Sequence, residues 1–194
     1  GMFLMSSSIN LLMVYLSIEL VSIPSYILAG FNHNDKSSNE ASLKYVLYGS
    51  FASGLMLFGI SWIYGQTGSL YFSEIKEALM FVGEKGSITS IITFVFLFAG
   101  FGYKISSAPF HYWVPDVYQG APTTVTGFLC TAPKAAGFGA MLKVFMIAFP
   151  EAFPEWQNIF WVLAVLTMTV GNISALVQSN VKRMLAFSSV SHAG

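Results

Sequence analysis

Three ionisable side chains sit deep in apolar sequence, each within five positions of a proline: Glu19 near Pro24, Lys104 near Pro109 and Lys134 beside Pro133. One carboxylate and two amines are the parts of an acid–base relay, a set of groups that take up protons and hand them on. Glu19 falls about 15 Å from either end of its apolar run at 1.5 Å per residue. An ionised group at that depth costs about 2.5–3.5 kcal/mol, so it must be paired or face water. Burial disfavours the charged form of a lysine by about 5 kcal/mol. A carboxylate at about 4 Å restores on the order of 4 kcal/mol at an effective dielectric near 20. The two nearly cancel, so a lysine alternately paired with Glu19 and abandoned by it would alternately hold and release a proton. A purely structural ion pair is the plainer reading of the same residues.

The prolines say where these groups should lie. Pro109 has no N–H to donate and its ring presses on the carbonyl of Ile105, so a helix arriving from Ser87 is expected to break there, with Lys104 at the lip. Pro133 frees the carbonyl of Leu129 beside Lys134, and Pro24 frees that of Leu20 beside Glu19, each as a proline inside a helix. Broken backbone at membrane depth is tolerated only where it is buried in protein or lines a wet cavity. Three such sites predict a hydrated polar axis.

Four more residues stand in the second rank. Lys44 lies a few residues inside its apolar run, where it would serve the relay or snorkel to the interface; Lys143 is expected to snorkel. His111 and Asp116 flank Pro115 in the second half of the broken segment, suited to a proton path or to capping. Gly100 and Gly102 form a lone GxG without a strand before it, so a nucleotide loop is set aside. Cys130, alone in its chain, is expected to be a small buried hydrophobe, with no disulfide or metal cluster to join. No haem or iron–sulfur ligand set occurs, so electron transfer would take place in other chains.

The elements that must hold these residues are membrane helices. Hydrophobic residues make up 55% of the 194, charged ones only 9%, against roughly 25% in soluble domains. Mean hydropathy is +0.65. Nine basic residues balance nine acidic ones, which gives no basic field for nucleic acid. Runs long enough to span fall at about 9–30, 41–65, 87–119 (broken), 122–149 and 158–178, with a partial helix from 184. An amphipathic piece follows Ser73, its expected N-cap, with Ile75, Ala78, Leu79 and Val82 on one face, and reads as a helix in the interface. GMFLMSSS reads as the end of a helix already under way and SSVSHAG as the start of another, so 1–194 is expected to be one transmembrane domain from within a longer subunit. Lys36 and Lys182–Arg183 share one side under alternating topology, facing Glu74, Glu77, Glu84, Glu151 and Glu155 with Lys76 and Lys85 on the other. By the basic count, loop 31–40 is cytoplasmic.

Whole stretches also match a known pattern. KISSAPFHYWVPDVYQGAPTTVTGFL (104–129), APKAAGFGAMLKVF (132–145), SIELVSIPSYILAGF (17–31), EASLKYVLYGSFASGLMLFGISWIYGQTGSL (40–70) and SNVKRMLAFSSVSHAG (179–194) resemble the subunit N family of proton-pumping NADH:quinone oxidoreductase, respiratory complex I. The resemblance implies an all-α, polytopic transmembrane bundle of antiporter-like fold. It implies proton relay roles for Glu19, Lys44, Lys104 and Lys134, with Glu19 and Lys104 as a switching pair, and His111 joins the candidate relay. NADH, FMN, iron–sulfur clusters and quinone would belong to partner subunits, with no cofactor or metal in this chain. Expected partners are the antiporter-like M and small membrane subunits and the bilayer of a bacterial inner membrane. A cation/proton antiporter subunit is the alternative, and a spacer whose charges merely pair is a third reading.

Overall fold

A largely apolar run of 19 residues with a single charge folds as a membrane-depth helix only if its polar side chains are satisfied locally, and the second helix does this with its serines. The computed structural model describes residues 1–82, 88–150 and 153–194, with side chains outside 81–90 and 151–155. In α2 (Leu11–Ala29), Asn10 caps the first turn by accepting from the Leu12 N–H at 2.9 Å. Ser17, Ser22 and Ser25 each donate to the carbonyl four residues back, at 2.6–2.7 Å. These serines are buried, whereas Leu12, Leu16, Leu20, Ile23 and Ile27 are exposed. Polar inside and apolar outside is the polarity a bilayer selects. Pro24 stays within α2, whose helix runs through it.

The remaining elements are all helical among the described residues. A short α1 (Met2–Ser7) precedes α2, and α3 (Lys36–Thr67) returns antiparallel to it. Asp35 caps α3 through the Ser37 N–H at 2.9 Å, which starts the helix five residues before the predicted run. Gly68 ends it at φ +68°, a left-handed cap where glycine carries no Cβ penalty. An isolated antiparallel bridge between Asn10 and Tyr71 pins the start of α2 to the start of α4 (Phe72–Val82). Ser73 is not the N-cap expected: the helix begins at Phe72, and Phe72 and Ile75 are buried. Glu84, Lys85 and Glu151, which entered the charge count, lie outside the described residues, as does the side chain of Glu155.

The interrupted segment is α5 (Ile88–Ile105) followed by α6 (Trp113–Gly120). Pro109 therefore lies in the loop between the halves rather than inside a helix, and His111 precedes α6 instead of sitting in it. The predicted 122–149 run is likewise divided, into α7 (Thr123–Leu129), α8 (Ala132–Lys143) and a π-helical turn (Val144–Ala148). Pro133 is the second residue of α8, a position where its missing N–H costs nothing, so of the three prolines only Pro24 is helix-interior. Then come α9 (Phe153–Leu176) and α10 (Val181–Ala193), capped by Asn180. By length and composition α2, α3 and α9 are apolar enough to cross a membrane.

Two cores hold the bundle. Phe94, Phe98, Phe101, Phe145, Phe160 and Trp156 mesh at centroid distances of 5.1–5.9 Å between α5, α9 and the π turn. Tyr26, Tyr45, Tyr103, Trp113 and Tyr118 form a second, more polar group between α2, α3, α5 and α6. Trp113 stacks on Tyr45 at 4.5 Å. Trp113 and Trp156 are thus core residues, while Trp161 is exposed.

Candidate functional site

The lip of the interruption ties its loose backbone to protein at several points, although Ser106 Oγ is buried there without a partner. Ser107 N–H bonds the Gly102 carbonyl at 2.8 Å, and the Tyr103 carbonyl accepts from Ser106 N–H and from the Trp113 indole, each at 3.2 Å. Across the loop, Thr167 Oγ1 of α9 accepts the Ala108 N–H at 3.0 Å and meets Ser107 Oγ at 3.0 Å. The free backbone is therefore buried in protein, one of the two conditions under which it survives at depth.

Lys104 points inward from this lip and is only 3% exposed. Its ammonium donates to Ser22 Oγ at 3.0 Å, while Ser22 gives its own proton to the Ile18 carbonyl at 2.7 Å. Glu19, one turn from Ser22 on the same face of α2 and half-buried, accepts a hydrogen bond from Ser53 Oγ of α3. Lys104 lies in the field of Glu19 without a direct ion pair to it. The stem of Lys104 runs along Gly137: a Cβ there would stand 3.2 Å from Lys104 Cγ and 3.2 Å from Ile105 Cγ2. Gly139, two residues on, has only Ser6 Oγ nearby, at 3.9 Å.

Lys134 is one helical turn from Gly137, so the same face of α8 carries both the groove for Lys104 and the second lysine. It is 7% exposed. Its ammonium donates to Ser189 Oγ at 2.7 Å and to the Ser189 carbonyl at 3.1 Å, both on α10. It also stands 5.7 Å over the ring of Tyr118 from α6, a cation–π contact. A cavity of about 640 Å³ opens beside it, lined in part by Tyr118, Lys134, Lys182, Ser189 and His192. Cys130 lines the same cavity and is half-buried rather than fully buried.

Lys44 belongs to a different cluster. Its ammonium bridges Glu40, one turn back, and Asp116 of α6, at 2.7 Å each. Arg183 of α10 reaches the other oxygen of Asp116 at 2.5 Å and Gln119 Oε1 at 3.1 Å. Lys182 donates to the Ala121 carbonyl at 3.3 Å, at the end of α6 where a cation is favoured. Lys182 and Arg183, counted above among the charges flanking the spans, thus fasten α6 to α10, while Lys44, expected in the relay or at the interface, ties α6 to α3. Asp116 is the only acid between Lys85 and Phe149 in the sequence, and that isolation next to basic partners is the signal that could have marked it.

His111 is not joined to the relay by any hydrogen bond. It is 6% exposed, stacks on Tyr112 at 4.8 Å, and its Nδ1 has no partner. Lys143 is half-buried and donates to the Ser6 carbonyl at 3.0 Å, which fixes α8 to α1. Ser22, Ser53 and Ser189, the hydroxyls that receive or hold the charged groups, are not marked out by the sequence. Among the described residues no three His, Cys, Asp or Glu side chains come together to hold a metal.

Residues 8–194 match the family described as NADH:quinone oxidoreductase/Mrp antiporter, transmembrane. The chain belongs to that family. It is 48% identical over 194 residues to NADH-quinone oxidoreductase subunit N of Trichlorobacter lovleyi, covering 100% of this chain and 40% of that protein. Subunit N 2 of Sorangium cellulosum is 52% identical over 204 residues, with the same coverage. Among solved structures, respiratory complex I from Thermus thermophilus with bound aureothin superimposes with a TM-score of 0.80 at 40% identity, over 100% of this chain and 40% of that one. A membrane-bound sulfane sulfur reductase, an archaeal respiratory membrane complex, gives 0.84 at 27% identity over 98% and 38%. The chain thus spans about 40% of the length of the relatives it matches, and its fold is the antiporter-like helix bundle of these complexes.

Proposed function

We propose that this chain is part of a proton-translocating membrane subunit of a bacterial NADH:quinone oxidoreductase. Its protons would move while partner subunits carry NADH, flavin, iron–sulfur clusters and quinone, so the chain serves an enzyme without holding a redox centre. One observation carries the reading: Glu19, Ser22, Lys104, Gly137, Lys134 and Ser189 lie in succession through the interior, joined by the Lys104–Ser22 and Lys134–Ser189 hydrogen bonds, the passage of the Lys104 stem beside Gly137, and one-turn spacings on α2 and α8. A structural ion pair would need only the first and third of these. The likeness to complex I and its subunit N supports the assignment of partners, namely other antiporter-like and small membrane subunits in a bacterial plasma membrane.

Within that sequence each group has a role. Glu19 competes for the Lys104 ammonium, Lys104 gives or takes a proton according to that competition, and Lys134 receives it on the far side of Gly137. The Asp116 cluster, which includes Lys44, keeps α6 and α10 in register so that Tyr118 and Ser189 stay around Lys134. His111 supports the loop between α5 and α6.

The test uses the full-length subunit in its assembled complex, reconstituted in vesicles. Lys104→Met and Lys134→Met should each lower NADH-driven proton uptake at least about tenfold, a barrier change of about 1.4 kcal/mol or more. Normal uptake in complexes that contain the variant subunit overturns the assignment. The same family takes in Mrp antiporters. If the purified subunit travels without NADH-oxidising partners and exchanges cations for protons unaided, the antiporter reading replaces it.

A further inference from the structure

Glu19 and Lys104 make no direct ion pair, and each is held by a serine. The carboxylate accepts from Ser53 Oγ on α3, which also stands 3.3 Å from Tyr15 Oη. The ammonium rests on Ser22 Oγ at 3.0 Å. Ser22 has already committed its proton to the Ile18 carbonyl, so toward Lys104 it offers only lone pairs. It is a seat shaped for a donor.

Glu19 and Ser22 are three residues apart on one helix face, with Cβ atoms about 5–6 Å apart. A lysine carries its ammonium on a flexible four-carbon stem. Its tip can therefore exchange one acceptor for the other while its Cα stays fixed at the lip of the interruption. The stem runs past Gly137, where a Cβ would stand 3.2 Å from Lys104 Cγ, so the glycine leaves room that a larger residue would take from it.

We propose that Ser22 and Ser53 are the parking partners of an open state of the Glu19–Lys104 pair, and that the structure is that open state. Closing transfers Lys104 from Ser22 to Glu19. The exchange makes and breaks hydrogen bonds only, and no proton changes atom during it. The serines are positioning residues: they set how much of the time the lysine is away from its carboxylate. The inference rests on the proton-transport reading above.

The experiment is a mutant cycle in the reconstituted full-length complex. Ser22→Ala and Ser53→Ala each remove one hydrogen bond to a charged group, which favours the closed pair by about tenfold. NADH-driven proton uptake should fall about threefold to tenfold in either variant. In a Glu19→Gln background the closed pair cannot form, so the serine replacements should cause no further loss beyond about 1.5-fold. An equal fold-loss in both backgrounds, as a packing role would give, overturns the proposal, as does normal uptake in both single variants. If Ser22→Ala does not assemble, Ser22→Cys, close in shape and a weaker acceptor, decides the same question. Lys104→Met is run alongside: normal uptake there overturns the proton-transport reading itself, whereas loss with Lys104→Met and none with the serine variants overturns only the parking role.

Discussion

Gly137 has no side chain, and Lys104 occupies the room. A methyl group at Gly137 would press on Lys104 Cγ and Ile105 Cγ2 at 3.2 Å, tighter than ordinary contact, so Gly137→Ala should cost about 1–3 kcal/mol in overpacking or displace the lysine. Gly139→Ala, two residues on, meets almost nothing and should be silent. The thermal midpoint of the purified complex and its proton uptake would separate the two, with both lowered for Gly137→Ala alone. At this scale Glu19, Lys104 and Lys134 were legible in the sequence because charge in apolar surroundings is costly and therefore conspicuous. Their serine partners were not. A serine in a membrane helix satisfies itself on its own backbone, and nothing in its spacing tells whether its lone pairs also face a neighbour.

Interruptions and ion pairs belong to the scale of whole helices. The break after Ile105 was readable from Pro109 because a proline ring and a carbonyl four residues back cannot share one helix. Its repair was not, since Thr167, the hydroxyl that receives the loose Ala108 N–H, comes 59 residues later. The division at Leu129 was readable too, though Pro133 turned out to open a helix rather than to kink one. The Asp116 cluster joins α3, α6 and α10, elements that the sequence separates by 67 residues or more at two of its ion pairs. Asp116→Asn would leave Arg183 without its counter-charge and Lys44 with Glu40 alone. Because these side chains are about one-third exposed, the expected cost is modest, about 1–2 kcal/mol. Amide hydrogen exchange over 181–193 should speed up about tenfold, while that over 92–101 stays as it was.

For the molecule as a whole, the cluster also bears on orientation. Arg183 and Lys44 meet on Asp116, so the start of α10 and the start of α3 share one end of the bundle, with loop 31–40 beside them. That end collects Lys36, Lys44, Lys182 and Arg183, and the basic-side rule predicts that it faces the cytoplasm. A cysteine introduced at exposed Asn34 should react with a membrane-impermeant maleimide in inside-out vesicles and stay unlabelled in right-side-out ones.

The serines of α2 have a last effect on what such a molecule can admit. Ser17, Ser22 and Ser25 turn their protons back on their own helix, which leaves only oxygen lone pairs pointing into the bundle. That edge of α2 therefore attracts an ammonium such as that of Lys104 and has no hydroxyl proton to spare for an anion. A helix that quenches its own donors in this way sets which sign of charge its face will hold.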